Sequence, residues 1–193
     1  IELAKFGSDK GTDTPDKALA GATFRIGGVF ADGETGVETV RELSMEGGTC
    51  TLRHLVAGNV YRLWEVAAPA GYKLIEGTLS FRVHADGTIE QVDAEESSFA
   101  NGSMSIAEDA VSVKAVDDPI ELSLVKKDEA GDKLLAGAVF KVTPVGGSSF
   151  ADGTTESKVL AATGADGKTS LSGQLVAGSC YEITEVLAPA GYT

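Results

Sequence analysis

The sequence predicts an all-β protein made of two tandem antiparallel β-sandwiches. Three observations support this prediction: a domain-length internal repeat, short segments in which apolar and polar residues alternate, and glycine-rich turns between those segments. The chain has 24 glycines, and no segment shows a convincing helical period. Short strands at this density, separated by turns, are typical of a sandwich or a barrel-like sandwich.

The internal repeat divides the chain into two domains. Leu-Ala-Gly-Ala-Thr-Phe at 19–24 returns as Leu-Ala-Gly-Ala-Val-Phe 116 residues later, and Ala-Pro-Ala-Gly-Tyr at 68–72 returns 120 residues later. A solenoid repeat is roughly 20–50 residues long, so this spacing fits a whole domain. We expect domains at 1–118 and 119–193, because Pro119 interrupts strand pairing. The second copy is expected to lack its C-terminal strand or strands.

The alternating segments and the turns predict the individual strands. Strands are expected around residues 1–5, 23–26, 61–65, 79–83 and 111–115. Ala-Asp-Gly turns separate them at 31–33, 85–87, 151–153 and 165–167, where glycine supplies positive φ.

Composition and motifs exclude several classes of function. The net charge of −13 argues against a nucleic-acid partner, because phosphate binding needs clustered Lys and Arg. No apolar run approaches the roughly 20 residues that span a bilayer, so we expect no membrane contact in this chain. His54 and His84 lack further ligands at metal-binding spacing, and Cys50 and Cys180 are not repeat-equivalent. We therefore expect no metal, no cofactor, no shared disulfide and no enzyme acting on an external substrate.

Ionisable residues end the apolar faces of three predicted strands. Side chains alternate between the two faces of a strand, which places Lys5 on the apolar face of the opening strand. By the same alternation, Glu65 lies at the end of the apolar face of a middle strand, and Asp117 lies at the end of the apolar face of the closing strand. Lys126 and Glu185 repeat Lys5 and Glu65 in the second domain.

Two interpretations of these residues are open. In the first, each strand emerges into solvent at its end, which would make Lys5, Glu65 and Asp117 exposed rim charges. Alternatively they are buried together, where an unpaired charge is costly and a carboxyl tends to stay protonated. The second interpretation is favoured because Lys and Glu recur at matched positions while the outer face varies, with Arg62 matched by Glu182.

The complete pattern resembles a known family. Each copy of the repeat contains three motifs in the same order. The first is Lys-x-x-x-Asp or Lys-x-Asp, the second is Leu-Ala-Gly-Ala-x-Phe, and the third is Tyr-x-x-x-Glu-x-x-Ala-Pro-Ala-Gly-Tyr. This pattern resembles the Cna-B-type, or SpaA-like prealbumin-fold, domains of Gram-positive surface proteins and pilins, over essentially the whole chain. The resemblance implies prealbumin-like (inverse Ig-like) sandwiches in an extracellular protein, anchored to the cell wall by a segment outside this chain.

The resemblance also implies roles for the ionisable residues. In that family an isopeptide bond commonly joins a Lys of the first strand to an Asn or Asp of the last, assisted by a buried carboxyl. By position, Lys5 would be the nucleophile, Glu65 the proton shuttle and Asp117 the acyl partner, where the family more often has Asn. Asp118 is the neighbouring alternative, but strand alternation favours Asp117. An apolar core would favour the neutral, reactive forms of amine and acid.

In the second domain Lys126 and Glu185 match the same roles. Lys127 is the less favoured alternative to Lys126, and the acyl partner is expected beyond Thr193.

The resemblance implies a structural stalk or backbone module of an adhesin or pilin, whose partners are neighbouring domains of the same parent protein. The isopeptide reaction would be a single-turnover self-modification. The alternative is a ligand-binding adhesin module that recognises host matrix protein or glycan. A patch of exposed aromatic residues around Trp64 would favour that alternative.

Overall fold

The computed structural model describes residues 1–8, 17–93 and 98–192, and its regular elements are strands. None of the described residues forms a helix, as the sequence predicts, so none forms a helix that could cross a membrane. The strands are β1 (Glu2–Gly7), β2 (Lys17–Ala18), β3 (Ala22–Val29), β4 (Glu38–Met45), β5 (Thr49–Thr51), β6 (Val60–Ala67), β7 (Leu79–Val83), β8 (Ile89–Gln91), β9 (Gly102–Ile106), β10 (Ser112–Asp117), β11 (Glu121–Val125), β12 (Val139–Val145), β13 (Lys158–Val159), β14 (Lys168–Ser172) and β15 (Cys180–Leu187).

The chain folds as two compact units, Ile1–Pro119 and Ile120–Thr193. In unit 1, one sheet has the order β2-β1-β10-β9, with β5 also paired to β1, and the other has the order β4-β3-β6-β7-β8. Alternate residues of both sheets point inward and form a single apolar core, as expected of a sandwich. Its buried members include Leu3, Phe24, Ile26, Leu63, Phe81, Met104, Val113 and Ala115.

The first and last strands of unit 1 are neighbours. β1 and β10 run parallel, with Leu3 opposite Val113 and Gly7 opposite Asp117. The other strand pairs of unit 1 are antiparallel, as predicted. A parallel pair needs a long crossover between its strands. Here almost the whole unit forms that crossover, so pairing β1 with β10 joins the two ends of the fold.

A tyrosine hydrogen-bonded to backbone recurs in both units. Tyr61 Oη accepts a hydrogen bond from the backbone N–H of Val56 at 2.7 Å and donates one to the carbonyl oxygen of Val29 at 2.5 Å. Tyr181 makes the equivalent bonds at 3.0 and 2.8 Å. A buried hydroxyl needs such partners, which explains why both copies of the repeat keep tyrosine here.

Unit 2 has a smaller core between a β11-β14 pair and a β13-β12-β15 sheet. Strand alternation places Ile183 and Glu185 on the core face of β15, yet Ile183 is 43% exposed and Glu185 is also exposed. The register pairs Ile183 with the buried Val142, and Tyr181 packs against the core, so this face is on the core side as the sequence predicts but is only partly covered. In unit 1, β6 is paired with β7, and β1 with β10; the described part of unit 2 has no equivalent of either pair.

Candidate functional site

Lys5, Glu65 and Asp117 lie together inside unit 1. Their exposed fractions are 0%, 4% and 0%. The Lys5 ammonium donates a hydrogen bond to Asp117 Oδ1, and its nitrogen lies 2.9 Å from Glu65 Oε1. The alternative interpretation, that these residues are exposed rim charges, is therefore wrong for unit 1, because the opposing sheet covers the strand ends.

The strand register explains this convergence. Lys5 is opposite Ala115 in the parallel β1–β10 pair, so Asp117 stands two residues farther along the neighbouring strand on the same face. Glu65 comes from β6 in the facing sheet. Its Oε2 accepts a hydrogen bond from the backbone N–H of Ile75 at 2.8 Å, which orients the carboxyl and leaves Oε1 toward Lys5.

Burial changes the acidity of both carboxyls. Loss of solvent raises the pKa of Asp117 from 3.8 to about 7, even though Lys5 acts in the opposite direction. The neighbouring charges of Glu65 and Asp118 contribute to this increase in the pKa of Asp117. Burial also raises the pKa of Glu65, against the lowering effects of Lys5 and of the Ile75 N–H. One buried cation cannot neutralise two buried carboxylates, so the site favours holding an extra proton near neutral pH.

This geometry suits condensation of an amine with a carboxyl. The nucleophilic nitrogen, the acyl group and a second carboxyl are already in contact, which removes most of the orientational cost of the reaction. Asp117 Oδ2 is buried and has no hydrogen-bond partner among the described residues. A carboxyl oxygen leaves as water only after it is protonated, and Glu65 is placed to supply that proton.

The matched residues of unit 2 also meet, but near solvent. Lys126 Nζ donates to Glu185 Oε2 at 2.8 Å, and the two side chains are 26% and 30% exposed. Lys127 instead lies in an isolated bridge with Leu134 and is exposed. Lys126 is thus the lysine that the fold brings to Glu185.

The other candidates lie apart from the buried site. Asp118 accepts a hydrogen bond from Ser8 Oγ at 3.3 Å and does not replace Asp117 beside Lys5. The side chains of His54 and His84 are largely solvent-exposed. Across residues 1–8, 17–93 and 98–192, no group of three or more His, Cys, Asp or Glu is placed to hold a metal ion. Both cysteines are free thiols, so no disulfide joins them.

Two features of the site were not found from the sequence. The backbone N–H of Ile75 holds Glu65, and since almost any residue supplies such a group, the sequence carries no signal for it. The ring of Tyr72 lies against Gly7, next to Asp117. Recurrence of Gly-Tyr in both copies was the available signal, but it does not indicate what the tyrosine contacts.

Comparison with known proteins identifies the family. The family model of the SpaA prealbumin-like fold domain matches residues 5–98 and 120–193 of this sequence. The chain therefore belongs to this family, with one match in each unit, which confirms the resemblance and the fold class predicted from the sequence. No curated protein matches the chain.

Several solved structures are similar. The C-terminal fragment of the pilus adhesin SpaC from Lactobacillus rhamnosus GG is 22% identical, with a TM-score of 0.44 over 99% of this chain and 76% of that one. A mutant of the shaft pilin SpaA from the same organism is 19% identical, with a TM-score of 0.35 over 100% and 89% of the two chains. The pilus adhesin RrgA from Streptococcus pneumoniae is 22% identical, with a TM-score of 0.40 over 62% and 15%.

Proposed function

We propose that this chain is a structural module from the stalk or backbone of a Gram-positive, cell-wall-anchored adhesin or pilin. We further propose that an autocatalytic isopeptide bond between Lys5 and Asp117 stabilises unit 1. The observation that carries this proposal is the complete burial of Lys5 against Asp117, with Glu65 beside them. Membership of the prealbumin-like domain family supports the structural role.

The proposed reaction balances without any other reagent. Neutral Lys5 Nζ attacks Cγ of protonated Asp117, so that a C–N bond forms and the C–O bond to the departing hydroxyl breaks. Glu65 takes one proton from the amine and passes it to the hydroxyl, which leaves as water. No oxidant, metal or cofactor is consumed, and the site is used once.

The bond would change how unit 1 carries force. Lys5 and Asp117 are 112 residues apart in sequence but lie on neighbouring strands. Tension applied to the ends of the unit would pass from β1 directly into β10 through the covalent bond. The intervening strands would carry little load, which suits a stalk exposed to shear and needs no oxidising compartment.

The alternative function, a ligand-binding adhesin module, receives less support. Trp64 is half-buried, with its ring over Gly27. Neither tyrosine of unit 1 joins it in a surface patch: Tyr61 is in the core, and the ring of Tyr72 lies against Gly7.

Intact mass under denaturing conditions tests the proposal. The wild-type chain should be lighter than its calculated mass by one water, whereas Lys5→Ala and Glu65→Ala should have their calculated masses. Asp117→Asn should lose one ammonia instead of one water, because the carboxamide nitrogen becomes the leaving group. That change would identify residue 117 as the acyl donor.

Lys126→Ala is the matched control. It removes the equivalent lysine of unit 2 and should keep the deficit of one water. A wild-type chain at its calculated mass would mean that the buried triad is inert and would overturn the proposed bond. Loss of the deficit in Lys126→Ala would place the bond elsewhere.

A further inference from the structure

One loop of unit 1 reaches both sides of the site. Residues 69–75, which we call the strap, follow β6 and precede β7. At its end, the N–H of Ile75 donates to Glu65 Oε2. Nearer its middle, the N–H of Lys73 donates to the carbonyl oxygen of Asp118 at 2.9 Å, and Tyr72 forms a β-bridge with Pro119. The strap therefore connects the proton-transfer residue on one sheet with the end of β10 on the other.

Tyr72 occupies a space that only glycine leaves open. Gly7 is two residues beyond Lys5 on the same inward face of β1, directly opposite Asp117. A Cβ atom at Gly7 would lie only 2.2 Å from Tyr72 Cε1 and 2.6 Å from its Oη. The aromatic ring thus fills the position of a missing side chain on the inward face of β1, where Asp117 is the register partner on β10.

Unit 2 provides a natural contrast. Asp128 stands two residues after Lys126, where unit 1 has Gly7 after Lys5. Tyr192, the repeat equivalent of Tyr72, is 40% exposed. The Lys126–Glu185 pair beside it keeps about a quarter of its surface in contact with solvent. The described part of unit 2 also has no equivalent of the β1–β10 pair, so the exposure of this tyrosine and of the lysine–glutamate pair reflects that difference as well as the missing glycine.

We propose that Tyr72 is a positioning residue for formation of the Lys5–Asp117 bond. Its ring, seated on Gly7, keeps water from that end of the site and holds the Asp117 carboxyl against Lys5 Nζ. Water exclusion favours the neutral acid form of Asp117, and a fixed carboxyl keeps the acyl carbon within reach of the nitrogen. This inference rests on the proposed isopeptide bond.

The test measures the rate of bond formation. The full chain is prepared denatured and un-cross-linked, as its full calculated mass would verify, and is refolded by dilution. Loss of water is then followed by intact mass at a series of pH values. Tyr72→Ala removes the ring, and Tyr72→Phe retains it. Gly7→Ala displaces the ring while leaving Tyr72 in the sequence, and it adds no backbone strain because the φ of Gly7 is not positive.

Tyr72→Ala and Gly7→Ala should each slow bond formation by about tenfold or more, as expected when reacting groups are misplaced. The pH at which the rate declines should also move downward. The carboxyl of Asp117 faces Lys5, Glu65 and Asp118, and water admitted beside it favours its ionised form. Tyr72→Phe should react at nearly the wild-type rate.

Two further variants sharpen the test. The double variant Gly7→Ala/Tyr72→Ala should be no slower than the slower single variant, because both changes disrupt one contact. Gly27→Ala is the matched control: Gly27 is also a strand glycine, and an added Cβ would lie no closer than 3.6 Å to another side chain. It should leave both the rate and its pH profile unchanged.

The outcomes separate this inference from the proposed function. A wild-type chain that never loses water would overturn the isopeptide bond itself. If the wild type and Gly7→Ala form the bond equally fast, the isopeptide bond is supported and the role of Tyr72 is refuted. The role of Tyr72 would also be refuted if Tyr72→Ala and Gly7→Ala form the bond slowly but with an unshifted pH profile. The same holds if Tyr72→Phe forms the bond as slowly as Tyr72→Ala. If circular dichroism shows that Tyr72→Ala does not fold, the rate and pH profile of Gly7→Ala alone test the role of Tyr72.

Discussion

Preventing the cross-link without changing the shape of the site should lower the melting temperature of unit 1 by about 20 °C. Glu65→Gln is the suitable change. Glutamine is close to glutamate in size, and its carbonyl oxygen can still accept the hydrogen bond from the Ile75 N–H. It cannot relay a proton as a carboxyl does, so Lys5 and Asp117 should remain separate.

The magnitude follows from the loop that the bond closes. Lys5 and Asp117 are 112 residues apart, and the chain-entropy model used for disulfides assigns about 5 kcal/mol to a loop of that length. Unit 1 spans Ile1–Pro119, which corresponds to an unfolding entropy of about 0.25 kcal/mol per kelvin. Dividing the first quantity by the second gives a shift of about 20 °C.

Scanning calorimetry of the full chain measures this shift, with the bond checked by intact mass in each sample. The direct effect of glutamine is obtained from Lys5→Met and Lys5→Met/Glu65→Gln, neither of which can form the bond. The difference in melting temperature between these two variants is subtracted from the difference between the wild type and Glu65→Gln. The remainder is the contribution of the cross-link. The transition that responds to Lys5→Met belongs to unit 1.

A small difference in melting temperature after this subtraction would contradict stabilisation by loop closure. If the wild type carries the bond but melts within about 4 °C of Glu65→Gln, the bond contributes only about 1 kcal/mol. Loop closure would then not be the source of stability, and the unfolded chain would already be compact or the cross-linked native state strained.

Four further predictions concern unit 1. Because burial raises the pKa of Asp117 from 3.8 to about 7, the folded chain that has not yet reacted should lose stability as pH rises between those values. For the same reason, bond formation should slow above about pH 7, as mass time courses would show; a rate that keeps rising to pH 9 would contradict this. Tyr61→Phe removes the hydrogen bonds of 2.7 and 2.5 Å and should cost about 1–3 kcal/mol for each buried partner left unsatisfied. Urea unfolding measures that cost, and a loss below about 0.5 kcal/mol would count against the contact. Gly102→Ala would place a Cβ 2.3 Å from the Val116 carbonyl oxygen at a φ of +154° and should cost more than about 2 kcal/mol in the same assay. Gly21→Ala, with positive φ but nothing within 4 Å, isolates the backbone strain and should cost less.

The class of fold and the identity of the reactive residues could be predicted from the sequence alone. The repeat indicated two domains. Strand alternation placed Lys5, Glu65 and Asp117 on inward faces, because a period of two is a local property that any strand displays. The same local rule preferred Asp117 to Asp118 and Lys126 to Lys127 as the residues that share the apolar faces.

Which of those faces are buried, and which residues come into contact, depends on how the strands pack in three dimensions. The parallel neighbours β1 and β10 are far apart in sequence, and no local pattern specifies their pairing. The alternation that is buried in β6 is exposed in β15, since burial depends on the strands that pack around it. The N–H of Ile75 and the ring of Tyr72 on Gly7 emerge only from the folded strap. Local periodicity can therefore be recognised in the sequence, whereas contacts between distant strands and contacts of backbone groups arise only in the folded protein.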